Sequence, residues 1–188
     1  MKRFNLRALV FMALCCDLGL IAKKLIGPAA NILTEFLHIP GGIATSFSLM
    51  FLVIAASVVP LPGCACLMGA VQSVLALAFG MTGSMGILAP IGYILPGVAI
   101  DIIFLLWRKA ALEPSLGILL ASVSASVTAA LTANFIVFGL WGLPLLLYAL
   151  VAASSGAVCS FLANVLAERL RPVIKLDTPY PAKDMSEI

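Results

Sequence analysis

The eleven lysines and arginines of this chain fall into four clusters, and the stretches between them are almost bare of charge. Lys2, Arg3 and Arg7 open the sequence, Lys23 and Lys24 follow, Arg108 and Lys109 form a third cluster, and Arg169, Arg171, Lys175 and Lys183 close it. What lies between is divisible into apolar runs near the roughly 20 residues that cross a bilayer. The 188 residues are 63% hydrophobic and 10% charged, with mean hydropathy +1.18. Soluble domains average nearer half apolar and a quarter charged, and a chain this short has no interior large enough to hide the excess. The fold class that follows is an all-α integral membrane protein.

Breakers divide the runs into six spans. They cover about Leu6–Ile26, Ile43–Val59 (closed by Pro60-Leu61-Pro62), Gly63–Phe79, Gly86–Trp107, Leu116–Phe138 and Leu143–Leu166. Gly27–Gly42 is semi-polar and is expected to be a re-entrant or interfacial connection. Six spans place nine of the eleven cations on one side and leave only Lys23 and Lys24 on the other. Basic loops stay in the cytoplasm, so both termini are expected there, in the cell membrane; an odd count would split the two basic ends across the bilayer. One domain, 1–170, and a cytoplasmic tail, 171–188, complete the plan.

Several functions are excluded at this stage. No room remains for a soluble catalytic domain, and no GxxxxGK[ST] occurs, so the chain does not hydrolyse ATP by itself. Neither HExxH nor the paired glutamates of intramembrane proteases are present, and no enzyme activity, cofactor or nucleic-acid partner is expected. The basic, apolar amino end resembles a signal peptide, but Asp17, Lys23 and Lys24 stand where a cleavage site belongs. Cys64 and Cys66 lack the spacing of a zinc knuckle, and His38 is a lone histidine, so no metal site is expected.

Polar residues inside apolar runs are functional candidates, because each is costly in lipid. Asp17 lies near the middle of the first span and Asp101 in the cytoplasmic half of the fourth. Asp101 reads as a structural or coupling-side group, seven residues from Arg108; for Asp17 a packing role and a functional role both stand. The stretch GMTGSMGILAPIGYILPGVAIDI, residues 80–102, is rich in glycine and proline, which bend helices or let a neighbour come close. On the outer side, Glu35, His38, Tyr93, Asn134, Trp141 and Tyr148 are expected to converge on one pocket, apolar with a few placed polar groups. Glu35 would balance a cationic ligand, and the aromatic rings would stack on a ring. Small residues repeat along spans 1, 5 and 6. Such stripes let helices approach closely. At least one is expected to dock another membrane protein, and span 1, through Ala8, Cys15 and Gly19, is the choice.

The runs FLVIAASVVPLPGCACLMGAVQSVLALAFG (51–80), GSMGILAPIGYILPGVAIDIIFL (83–105) and VAASSGAVCSFLANVLAERL (151–170) resemble the substrate-binding S component of an energy-coupling factor (ECF) transporter. Within that group they are distantly similar to the YkoE-like subunits associated with thiamine or hydroxymethylpyrimidine uptake. The resemblance implies capture of a small water-soluble vitamin or precursor from outside. A coupling transmembrane protein and two cytoplasmic ATPase subunits would drive its release inward. Span 1 departs from the AxxxA pattern of such subunits, since Ala8 is followed four residues on by Met12, and Ala13 by Asp17. The alternative is a stand-alone secondary transporter coupled to an ion through Asp17 or Asp101, although no internal repeat of the kind such transporters use is visible.

Overall fold

The computed structural model describes residues 6–36, 43–59, 61–110 and 113–174, a few of them by backbone alone. Six α-helices account for nearly all of these: α1 (Leu6–Phe36), α2 (Ile43–Val58), α3 (Cys64–Ala78), α4 (Ala89–Ala110), α5 (Pro114–Phe138) and α6 (Leu143–Ile174). A short 3-10 turn, Gly83–Leu88, leads into α4, and no strand occurs among the described residues. The segments Met85–Lys109, Pro114–Phe138 and Leu143–Arg171 are each long and apolar enough to cross a membrane. α2 and α3 are apolar but short, 16 and 15 residues. At 1.5 Å per residue they span only about 24 and 22 Å, against a hydrocarbon core of about 30 Å.

α1 runs further than its sequence suggests. The expected connection after Ile26 begins instead as helix, which carries on through Gly27 and Pro28 to Phe36. A proline deletes one backbone hydrogen bond and bends a helix, but where the flanking residues support helix it need not end it. At the other end, α6 continues past Leu166 to Ile174.

Several ends are written in local chemistry. Pro114 occupies the first turn of α5, where its missing N–H costs nothing, and Gly139 closes the helix at φ +58°. α3 ends on Gly80 at φ +64°, with Gly80 N–H donating to Leu77 O (3.2 Å) and Met81 N–H to Ala76 O (2.7 Å). This is a Schellman closure, which absorbs carbonyls that would otherwise be orphaned.

α2 is the axis of the bundle. Its sequence, IATSFSLMFLVIAASV, is apolar on every side, and it packs on each of the other five helices. Leu52, Val53 and Ala55 are completely buried. Around it α1 lies on α2 and α3, α3 on α4, α4 on α5, and α5 on α6, the most extensive pairing among the described helices. Buried serines fasten the axis to its neighbours: Ser48 Oγ donates to Gly19 O of α1 (2.9 Å), and Ser46 and Ser155 of α6 share a hydroxyl contact of 2.8 Å.

α3 and α4 run antiparallel at very close range. A Cβ added to Gly69 would sit 2.5 Å from Tyr93 O, and one added to Gly97 would sit 2.6 Å from Ala65 O. Both contacts are with backbone, so only glycine permits this approach. The glycine and proline content of residues 80–102 thus serves two ends: the turn before α4, and a flat face on α4 against α3.

Candidate functional site

Two polar constellations are built into the bundle, one at each end of α4. At its amino-terminal half, Tyr93 is buried beside Leu20, Ala76 and Ala89, with Leu75, Met81 and Met85 packed around them. Lys23 of α1 reaches in and donates to Tyr93 Oη at 2.9 Å, its ammonium 4.7 Å from the ring centroid. The pair combines a hydrogen bond with a cation–π contact inside an otherwise apolar seam. The seam abuts the irregular segment from Phe79 to Leu88, where Gly80 and Gly86 hold positive φ.

At the other end of α4, Asp101 and Arg108 face the two helix ends that meet between α2 and α3. Asp101 Oδ1 accepts from Ala65 N–H (3.2 Å) and Oδ2 from Cys66 N–H (2.8 Å), at the amino terminus of α3. Arg108 Nη2 donates to Ala56 O (2.9 Å) and Val59 O (3.3 Å), at the carboxyl terminus of α2. An anion sits on the positive end of one helix dipole and a cation on the negative end of another. The two side chains clamp the short hairpin to α4 from both sides. Asp101 is thereby a cap supplied by a neighbouring helix.

A third polar group lies mid-bundle. Gln72 of α3 is completely buried and its Nε2 donates to Cys16 O of α1 at 3.2 Å, while its Oε1 has no hydrogen-bond partner among the described residues. Cys16 Sγ in turn donates to Met68 O at 3.6 Å.

The residues expected to form an outer pocket are placed as follows. Tyr93 is in the seam just described. Asn134 is buried on α5 and donates from Nδ2 to Ala130 O of its own helix at 2.8 Å. Trp141 is exposed and stands edge-on to Phe135, ring centroids 4.7 Å apart. Tyr148 is half-buried on α6. No side-chain hydrogen bond, ion pair or ring contact joins any two of these four among the described residues. Glu35 belongs to the last turn of α1, its side chain outside the described residues, and His38 lies outside them altogether.

The expected docking stripe turns inward. Ala8 and Cys15 are 1% and 3% exposed and belong to the main core. Gly19 is buried, and a Cβ there would lie 2.7 Å from Gln72 Nε2. This face of α1 is therefore occupied by the chain's own α2 and α3. The small residues of α5 and α6 do the same work: Ala121, Ala125, Ala163 and Ala167 are fully buried between helices.

Lys23 is the partner of Tyr93 that the expected outer group lacks. It continues the buried stripe Ala8, Met12, Cys16, Gly19 at helical spacing, and that register is the signal that brings it to Tyr93. Among the described residues no cluster of three or more His, Cys, Asp or Glu is placed to hold a metal ion. In comparisons with protein-family models, curated proteins and solved structures, nothing matches the chain.

Proposed function

We propose that the chain is a six-span protein of the cell membrane, both termini cytoplasmic, that captures a small water-soluble vitamin or precursor for an ATP-driven importer of the ECF type. The first ligands to consider are thiamine and hydroxymethylpyrimidine. A coupling membrane protein and two ATPase subunits would supply the energy. The reading rests on the sequence resemblance and on the charge distribution, which puts Arg108 and the basic termini on one side. One structural observation supports it most. The Lys23–Tyr93 pair sits beside the glycine-rich turn before α4, at the end of the bundle opposite the Asp101–Arg108 clamp. On this topology that end faces outward, where a ligand would arrive. Both oxygens of Asp101 are engaged by backbone N–H groups. This makes it a poor ion-coupling group and disfavours a stand-alone secondary transporter that uses it.

The test has two arms. The purified protein is analysed by mass spectrometry for retained small molecules and titrated with thiamine and with hydroxymethylpyrimidine, reading thermal stabilisation. A ligand at one hundred times its Kd stabilises by about 2.7 kcal/mol. In parallel the protein is isolated from its native membrane and its companions identified. Absence of any retained or stabilising small molecule, together with absence of an ATPase module, sinks the proposal.

A further inference from the structure

We propose that the outward face of α1, centred on Asp17, docks a transmembrane helix of a different protein that carries a lysine or arginine at matching depth. The inference rests on the reading above only in taking α1 to cross the membrane.

The inward face of α1 is spent on the chain's own core, through Ala8, Met12, Cys15, Cys16 and Leu20. The opposite face is an apolar stripe: Val10, Leu14, Leu18 and Ile21 are 52, 56, 49 and 53% exposed. Asp17 lies in the middle of that stripe and is exposed with them. It is the one charged residue between Arg7 and Lys23. By helix rise it stands about 15 Å from the first and about 9 Å from the second. Its side chain makes no hydrogen bond or ion pair among the described residues.

A carboxylate in that position cannot be left to lipid. The cost at mid-bilayer is several kcal/mol. An aspartate side chain is too short to reach the interface, unlike the long stems of lysine or arginine. Something with donors must cover it. A second copy of this chain is the wrong occupant. Two copies in one membrane share an orientation, so a symmetric pairing through this face sets Asp17 against Asp17 at equal depth. A helix with a basic residue satisfies the charge, and Leu14, Leu18 and Ile21 supply the apolar rim around it. Discrimination follows from the same chemistry, because a partner lacking the cation leaves a desolvated, unpaired carboxylate.

The experiment uses the full chain in its native membrane. A photo-activated cross-linking residue is placed at Leu14 or Leu18, with Val158 on the exposed side of α6 as the control position. Cross-linked peptides are then sequenced. The expected result is an adduct from the α1 positions, and not from Val158, to an apolar segment of another protein containing lysine or arginine. D17K should lower recovery of that complex about thirtyfold or more, as for loss of a buried charge pair. Replacing the partner's basic residue by aspartate should restore recovery with D17K. D17N, which removes the charge without making insertion harder, should lower recovery in the same direction. An adduct only to a second copy, only to lipid, or to a segment without a basic residue overturns the proposal. So does an undiminished yield with D17N. The two readings fail separately: a cationic partner unconnected with any ATPase leaves the docking surface standing and removes the importer. An intact importer with an indifferent Asp17 does the reverse.

Discussion

Replacing Asp101 by alanine removes the acceptor for two N–H groups at the start of α3. The cost follows from the geometry. Hydrogen bonds to an ionised group contribute about 1.5–3 kcal/mol each. Here the Cys66 bond at 2.8 Å is well formed and the Ala65 bond at 3.2 Å is longer. Against their sum stands the relief of taking a half-buried carboxylate away. The expected net loss is about 2–3 kcal/mol for D101A, and about half that for D101N, whose amide oxygen still accepts one bond. For a chain of this size that corresponds to about 4–12 °C in the thermal midpoint. With Trp141 replaced by phenylalanine, Trp107, one residue from Arg108, gives a fluorescence signal local to the clamp during unfolding in detergent. Arg108→Met should cost a similar amount, and the double variant less than the sum by at least about 0.5 kcal/mol, since both side chains hold the same hairpin. A D101A protein within about 0.5 kcal/mol of wild type, or strictly additive losses, would refute the claim that α4 clamps α2 and α3.

The close crossing of α3 and α4 gives a second test. Gly97→Ala places a Cβ 2.6 Å from a backbone oxygen and should cost about 1–3 kcal/mol. Gly27→Ala, in a helix with nothing within 4 Å, should be neutral or stabilise by up to about 1 kcal/mol; equal effects would show that the crossing is looser than described. Gln72→Met removes an amide that makes one bond and leaves one acceptor unpaired, so its unfolding free energy should stay within about 1.5 kcal/mol of wild type. A large loss would reveal a second partner for that amide. Tyr93→Phe deletes the acceptor for Lys23 but keeps the ring; unfolding in detergent should register about 1 kcal/mol. If the Lys23–Tyr93 seam holds a ligand, retention of small molecules should fall with it.

Composition and breakers made the helical architecture legible, and the cores of all six helices fall within the apolar runs. What they did not give has particular causes. Gly27 and Pro28 suggest an end to the first helix, but a breaker specifies a lost bond, and the residues after it decide whether the helix resumes. The stripe Ala8, Cys15, Gly19 is expected to dock another protein, and in the fold it packs on the chain's own helices. Close approach to one's own helix and to another protein's demand the same small residues, so the pattern alone cannot name the neighbour. Asp101 has backbone partners, and an N–H group leaves no mark in a sequence. The residues expected on the outer side share loops or loop ends rather than a helix face. Asn134, Trp141 and Tyr148 sit on α5, the turn after it, and α6, whereas Tyr93 faces α1 and α3; helix register, not proximity to a loop, decides which side chains meet.

The central position of α2 bears on how such a chain is assembled. Four of its five neighbours, α3, α4, α5 and α6, follow it in the chain and are translated after it. For a chain inserted segment by segment, the faces of α2 that will meet them must wait against lipid. A helix apolar on all sides waits there at little cost, and two of its three serines have early partners, Ser57 on Ile54 O of its own helix and Ser48 on Gly19 O of α1. The late steps then replace lipid by protein around a rod already in place. On this view α6, whose Ser155 meets Ser46, completes the enclosure, and truncating the chain before Leu143 should leave a fluorophore attached to α2 open to lipid-soluble quenchers.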